Sequence, residues 1–578
     1  MEGLGSLFGE DEDVEVKGVV EAKKDDVKDE SKAETNTEVR LAMIGNVDSG
    51  KSTLIGVLCA GKLDDGRGSA RSTVFTHKHE SSSGRTSAIS HQLIGFDEKN
   101  EQVFVKRKQN GKLGKAFWNE LVDRSRKQVV LIDLCGHRKY LKTTIFGLTG
   151  LNPDYAIVLI GSNMGIPRMT REHIGIACAL KIPIIVVITK VDICPPNIFK
   201  QTMTKLKRIL RNREKMPFVV NKPKKVPKAV ELITTSTTTC PVFITSNVSG
   251  KGIDELRSFV GNLSKPSPIL TASDFTSIVK NSTHIVSPPL VCLFSLSGQY
   301  FFKNNITHWT ILIQVPSETP SSPTSTLALD DTAKRKDFES ELSNRPTIFT
   351  VDSTFLVPGV GLVLSGNVRQ GTIRLNDQLI LGPSKNGEYV KILVRGIHAN
   401  RVARDVVTAG KSASIAIRSI KKKTPISRDS IRKGMVVLSE KIDPEIRMTW
   451  KFQAEILILH HQTTCGKGYT PVIHCGVVRQ SAKILSITKT GKVKIPRLRK
   501  PTSGRAKVDD DEENTDMLRT GDRAIVDFEF CYYPEFLTVG TQMLFREGRA
   551  KGIGKITKVG GRSAGRNGHG DTGGSKKE

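Results

Sequence analysis

The sequence predicts an α/β domain followed by two antiparallel β-barrel domains, and three observations carry that prediction. Short β-branched runs at residues 129–132, 156–160 and 184–189 alternate with segments of helical period, the mark of βαβ units around a mainly parallel sheet. A glycine-rich run, Gly45-Asn46-Val47-Asp48-Ser49-Gly50-Lys51-Ser52, stands between an apolar strand at 41–44 and an apolar-periodic helix beginning at Thr53. Beyond residue 347 the helical period disappears, and strands of about four to eight residues recur between Gly and Asp turns.

At 578 residues the chain is too long for one hydrophobic core, and domains of about 100 to 200 residues imply three or four units. Residues 1–38 hold 13 Asp or Glu against 5 Lys, with few large apolar side chains, and read as a disordered acidic leader of net charge −8. The α/β domain spans 39–264. Residues 265–346 turn rich in Ser, Thr and Pro with no sustained period, a low-complexity linker or insertion. The first barrel spans 347–440 and the second 449–559, the latter interrupted by a basic, proline-bearing stretch at 492–507 and an acidic one at 509–513. Residues 560–578 form a glycine-rich basic tail suited to grazing RNA.

The whole chain carries +29 and the leader −8, which leaves +37 on the remainder. So large an excess favours polyanions such as RNA through phosphate neutralisation and counterion release, and fits a small-molecule metabolic role badly. Nine cysteines without a CxxC pair, and an acidic rather than basic-then-apolar start, indicate a reduced, cytoplasmic protein. The most apolar late stretch, 290–315, is broken by Lys303, Asn304 and Asn305, and no run reaches the about 18 apolar residues of a membrane span, so none is expected.

The glycine-rich run fits GxxxxGK[ST] in the strand-to-helix context that motif requires. Its glycines let backbone N–H groups of Gly45, Asn46, Val47, Asp48, Ser49, Gly50 and Thr53 wrap phosphates at a helix N-terminus. Lys51 reaches the β and γ oxygens, and Ser52 offers a hydroxyl to Mg²⁺. Asp133-Leu134-Cys135-Gly136-His137 follows the strand at 129–132, at the carboxyl end where α/β ligands bind. Asp133 can hold Mg²⁺ through water, Gly136 can bring its N–H to the γ-phosphate, and His137 is placed to orient the attacking water. Thr189-Lys190-Val191-Asp192 also ends an apolar strand. There Asp192 can accept both N–H groups of guanine while Lys190 lies along the ring, which selects GTP over ATP. Ser246-Asn247 adds a last base contact through backbone N–H. The fold class is therefore an α/β P-loop GTPase domain followed by two antiparallel β-barrel domains.

Other candidates are weaker. His77-Lys78-His79 and the set His460, His461, Cys465, His474 and Cys475 lack zinc-finger spacing, and barrel alternation accounts for the second. Residues 222–228, Lys-Pro-Lys-Lys-Val-Pro-Lys, resemble a nuclear signal but read as an exposed basic loop inside the α/β domain.

Taken together these motifs resemble the translational GTPases, most closely the GTP-binding protein 1 and 2 family, relatives of elongation factor 1-alpha. Residues 45–54, 77–86, 133–147, 189–195 and 432–439 carry the likeness, joined by Gly468-Tyr469-Thr470-Pro471 and Arg546-Glu547-Gly548-Arg549 in the last domain. The resemblance implies that Thr86, in Gly84-Arg85-Thr86, is a switch threonine gripping Mg²⁺ and water when GTP is bound, and that Asp48 holds a monovalent cation. Asn46, Cys135 and Thr189 depart from the elongation factors. Arg85 replaces an isoleucine that with Val47 would screen His137; it reads as a surface cation, with a phosphate-directed arginine as the alternative.

These implications make the protein a GTPase, using GTP/GDP and Mg²⁺, with His137, Thr86 and Lys51 as its catalytic set. Acting as a monomer, it would deliver tRNA to ribosomes or act on stalled ones. The rival reading is a GTP-gated adaptor that recruits RNA-decay or rescue factors and hydrolyses GTP incidentally.

Overall fold

Eight strands build the first layer because their residues are apolar on both sides, as a sheet covered by helices on both faces requires. The computed structural model describes residues 37–75, 80, 84, 86–105, 115–266, 341–420, 426–461, 463–492, 517–547 and 550–560. Arg85, His77 to His79, the bulk of the linker, the basic insertion, Gly548, Arg549 and the tail beyond Gly560 lie outside the described residues.

The strands are β1 (Thr37–Gly45), β2 (Ser90–Phe96), β3 (Gln102–Val103), β4 (Lys127–Asp133), β5 (Tyr155–Gly161), β6 (Ile184–Thr189), β7 (Met216–Val220) and β8 (Thr239–Ile244). They lie in the order β3-β2-β4-β1-β5-β6-β8-β7. All pairings from β4 to β7 are parallel, whereas β2 runs antiparallel to β4 and β3 antiparallel to β2. Alternation along β1 sends Val39, Leu41 and Met43 to one face and Ala42 and Ile44 to the other. The first face is covered by α1 (Lys51–Ala60), by the helix at Val226–Thr235 and by that at Ile253–Asn262, through Leu54, Ala229 and Phe259 among others. Helices Lys115–Asp123, Leu141–Thr149, Arg168–Ala179 and Pro196–Arg211 cover the second, through Leu121, Ile145, Ile174 and Leu206.

Two local expectations change. Glu38, assigned to the acidic leader by composition, is the second residue of β1, 2% exposed and paired with Arg40 at 2.9 Å. Counting charges treats every carboxylate as solvated, and this one has a partner. The basic 222–228 run is a 3-10 turn, Pro223–Lys225, that passes into a helix started by Pro227. Its lysines are exposed, but Val226, Ala229 and Ile233 fall at helical spacing and are buried.

Both later domains are closed six-stranded antiparallel barrels. In the first, Gln378–Gly382, Val436–Leu438, Ile348–Val357, Gly361–Gln370, Ser412–Ser419 and Val390–Ala399 form the ring, the last strand pairing back onto the first. In the second the order is Lys451–His460, Asp522–Phe530, Val478–Lys492, Val472–Cys475, Gln542–Glu547 and Ala550–Val559. Phe452 stacks on Phe528 at 5.2 Å inside it.

The barrels are tied to each other and to the α/β domain by buried polar groups. Arg432 forks onto Glu535, with Nη1 2.7 Å from each carboxylate oxygen, donates to Pro534 O at 2.8 Å, and stacks on Tyr533 at 4.0 Å. Arg40 of β1 donates to Gly410 O of the first barrel at 2.8 Å. Arg401 lies 4.2 Å over Trp118 and donates to His91 O. Leu544 of the second barrel completes the apolar cluster containing Leu141, Ile145 and Ile166.

His474 sits in the second barrel's Val472–Cys475 strand, which touches the Leu141–Thr149 helix. It is 3% exposed, and its Nδ1 has no partner among the described residues. Burial, then the positive charges of Arg479, Arg546 and Lys142, pushes the imidazole down to about 4. The folded state thus rejects a proton that an unfolded chain takes up near pH 6.5. Stability from neutral His474 is therefore complete above 6.5 and lost as pH falls toward 4, at up to about 1.4 kcal/mol per pH unit. Denaturant midpoints measured from pH 7.5 to 5 will fall less steeply for His474→Asn than for the unaltered protein; equal slopes would refute this.

Candidate functional site

The loop from β1 into α1 and the ends of β4, β6 and β8 meet on the carboxyl edge of the parallel strands. This is where a doubly wound sheet leaves its crevice. Gly50 caps α1 with φ 83°, a conformation that leaves the helix's first N–H groups open to a ligand. Asp48, which is not glycine, also takes positive φ, 59°, a strained setting typical of a built loop.

Asp133 closes β4 and is completely buried. Its Oδ2 accepts from Ser52 Oγ at 2.6 Å and from Thr86 Oγ1 at 3.2 Å, and the two hydroxyls lie 2.9 Å apart. The three residues expected to hold Mg²⁺ are thereby brought to one point. Asp133 Oδ1 is buried without a hydrogen-bond partner among the described residues. Hard oxygen donors, one of them an unsatisfied carboxylate oxygen, suit Mg²⁺ and its waters, so the residues fit the ion.

Lys51, 6% exposed, donates to Asn46 O at 2.8 Å and Gly45 O at 3.4 Å. Burial lowers its ammonium's pKa while the Asp133 charge opposes that, and burial raises the pKa of Asp133. Gly136 approaches so closely that a Cβ there would lie 2.6 Å from Lys51 Nζ and 2.8 Å from Asn46 O. Only glycine brings this backbone against the phosphate loop. His137 is exposed beside it, and its Nδ1 accepts from Lys139 N–H at 3.1 Å. With Nδ1 accepting, the neutral ring carries its proton on Nε2 and offers a donor. Val47, Thr53, Thr86 and His137 line one cavity with Lys51 and Ser52.

At the other end, Thr189 is buried and donates to Ser49 O at 2.8 Å, fastening the β6 end to the phosphate loop. Lys190 turns with φ 60°, its carbonyl held by Ser162 Oγ at 2.7 Å. Asp192 is exposed, and its carboxylate makes no hydrogen bond among the described residues. Ser246 Oγ accepts from Val248 and Ser249 N–H groups, while its own N–H donates to Lys251 O at 2.9 Å. Of the Ser246-Asn247 pair, the Asn247 N–H is therefore the one left for a base. Asn247 is 8% exposed, and its Oδ1 has no hydrogen-bond partner among the described residues.

One residue of the cavity, Arg71, escaped the sequence reading, and Gly84 entered it only as a neighbour of Thr86. The detectable signal for Arg71 was the Asp64-Asp65-Gly66-Arg67-Gly68 run before it, in which two carboxylates and two glycines announce tight turns.

The model for the elongation factor Tu GTP binding domain matches residues 36–266. GTP-binding protein 1 of Xenopus laevis is 38% identical over 90% of this chain, which spans 63% of that protein's length. GTP-binding protein 2 of Mus musculus is 35% identical, again over 90% of this chain and 69% of its own length. Among solved structures, the bacterial selenocysteine-specific elongation factor EF-Sec matches with TM-score 0.50 over 90% of this chain and 58% of that one. At 15% identity this likeness shows the fold alone.

The exposed position of Asp192 makes base selection testable without disturbing the core. Asp192→Asn will weaken guanine nucleotides by about 2 to 4 kcal/mol, the worth of a charged bidentate pair, and favour xanthine nucleotides. Titration with both bases checks it; unaltered guanine affinity would remove Asp192 from the base contact.

Proposed function

Since the chain belongs to the GTP-binding protein 1 and 2 family of translational GTPases, we propose that it hydrolyses GTP when engaged by ribosomes, delivering tRNA or acting on stalled complexes. The observation that carries the reading is the joining of Ser52, Thr86 and Asp133 at one point. A segment outside the sheet, the one bearing Thr86, is thereby tied to the phosphate site, which is what a nucleotide-dependent switch needs.

Bound Mg²⁺, held by Ser52 and Thr86 and through water by Asp133, would supply neutralisation of the triphosphate. Lys51 is positioned to offset charge on the β and γ oxygens once nucleotide draws its ammonium from Asn46 O. The Gly136 backbone packs against the phosphate loop, and the Nε2 edge of His137 orients a water toward the γ-phosphorus. Water attacks phosphorus, the bond to the β-γ bridging oxygen breaks, and GDP and inorganic phosphate leave; positioning and electrostatics suffice.

His137 directly precedes the Arg138–Tyr140 turn and the Leu141–Thr149 helix. Both barrels grip that helix and its end. Lys433 lies 5.1 Å over the Phe146 ring, Arg369 donates to Gly150 O at 3.2 Å, and the Val472–Cys475 strand packs alongside. A shift of this helix on loss of the γ-phosphate therefore changes the seating of both barrels, the means of releasing cargo.

The RNA part of the reading rests on charge. On the Pro196–Arg211 helix and just beyond it, Lys200, Lys205, Lys207, Arg208, Arg211 and Arg213 are all exposed. Such a row suits phosphates. No described helix is long and apolar enough to cross a membrane, and the proposed site of action is the cytoplasm, as a monomer.

Single-turnover GTP hydrolysis with and without ribosomes and charged tRNA tests the proposal. Ribosomes should raise the rate by orders of magnitude. His137→Ala should bind GTP normally yet lose a factor on the order of 10² to 10⁴ of the stimulated rate. Full stimulated hydrolysis by that variant would end the catalytic assignment, and absent ribosome stimulation would favour an adaptor in RNA decay. Complexes with tRNA should weaken steeply with salt; a flat dependence would refute direct RNA binding.

A further inference from the structure

The guanidinium of Arg71 is the cavity's second cation. It lines the wall with Lys51, Thr86, Gly136 and His137, yet it belongs to no motif. Its side chain makes no ion pair or hydrogen bond among the described residues.

What holds it there is a small rigid mount. Asp64, 8% exposed, accepts from Gly66 and Gly68 N–H through Oδ2 at 3.1 and 3.2 Å, and from Ala70 N–H through Oδ1 at 2.9 Å. Asp65 Oδ1 gathers the N–H groups of Arg67, Gly68 and Ser69. The mount is fastened at two points. Asp64 N–H donates to Asn247 O at 2.9 Å, and the Ala70 carbonyl packs on α1 where a Cβ at Gly56 would stand 2.0 Å from it. The short helix Ser69–Ser72 that carries Arg71 is thus braced from the base end of the site and from the helix that follows the phosphate loop.

The far end of Arg71 meets the Thr86 segment. A Cβ on Gly84 would lie 3.2 Å from Nη2 and 3.4 Å from Nη1, so the fork lies flat against that glycine. Gly84 takes φ 65°, and its N–H donates to Glu80 O at 2.7 Å. Glu80, 2% exposed, receives the Ser87 and Ala88 N–H groups at 2.6 and 3.1 Å. Two braced loops therefore meet at Arg71 and Gly84, two residues before Thr86. An arginine fork without a hydrogen-bond or ion-pair partner among the described residues, facing a site for a triphosphate, suits phosphate oxygens.

We propose that Arg71 is a phosphate-binding residue that engages the third phosphate of GTP, and so does not engage GDP, from the wall it shares with Thr86, Gly136 and His137. The proposal rests on the nucleotide site and is independent of the ribosome and RNA part of the reading above.

The test compares affinities for GDP and for a non-hydrolysable β,γ-imido analogue of GTP, in the full chain with Mg²⁺, for the unaltered protein, Arg71→Ala and Arg71→Lys. Nucleotide binding by the unaltered protein checks the site itself; its failure would remove that site, whatever Arg71 does. Arg71→Ala should bind the analogue about tenfold or more weakly, the usual worth of a charge-assisted bond, with GDP affinity within about twofold. Arg71→Lys should recover part of the loss, since it keeps the charge without the fork. Thermal midpoints of the GDP complexes should coincide, which shows that both variants fold. Equal loss for GDP and analogue would overturn the proposal and make Arg71 a structural brace or an anchor of the inner phosphates. Unchanged affinity for both would overturn it too.

Discussion

A carboxylate shut away from water, Asp133, sits beside two hydroxyls and a buried ammonium, with one oxygen left over. Desolvating a charge this thoroughly is expensive unless something compensates, and Lys51 together with the Ser52 and Thr86 hydroxyls compensates only in part. The remainder of the site is organised around that shortfall. The phosphate loop lends carbonyls to Lys51, Gly136 gives up a side chain to let the backbones close, and the Thr86 segment comes in from outside the sheet to donate its hydroxyl. A cation with its water would complete the set electrostatically, which would link the position of Thr86 to what occupies the phosphate cradle.

How that posture reaches the barrels follows from the chain's order. The strand that ends in Asp133 leads directly through Gly136 and His137 into the Leu141–Thr149 helix, and no flexible spacer intervenes. Barrel groups hold this helix at its side and its end, with Phe146 under Lys433 and the Gly150 carbonyl bound by Arg369. Packed interfaces of this kind have discrete seatings, so under the proposed function a small displacement at the phosphate would be converted into a choice between arrangements. Arg432 and Glu535 meanwhile bind the two barrels to each other.

The sequence made the phosphate and base motifs legible because each sits at the end of an apolar strand, where side-chain types are dictated by ligand chemistry. The fold class was readable for the same reason, since the change of apolar period near residue 347 tracks the change from helices on a sheet to barrels. Arg71 was not readable. Its position is set by backbone turns around Asp64 and Asp65, and nothing in residue spacing says which way such turns aim a side chain. Glu38 and the 222–228 lysines misled for a related reason: composition records charge but not whether a neighbour such as Arg40 waits for it, or whether Val226, Ala229 and Ile233 share a helical face. The contacts of Arg40, Arg369 and Arg401 across domains join residues hundreds of positions apart and leave no local trace.

Thr189 has a consequence of its own. Its single proton is donated to the Ser49 carbonyl, so the strand that presents the base-reading residues and the loop that wraps the phosphates are pegged to each other at one point. The distance between the two ends of the nucleotide is thus gauged by the protein before anything binds, in the manner of a fixed caliper. A ligand of the wrong length meets a site that has already been set to size.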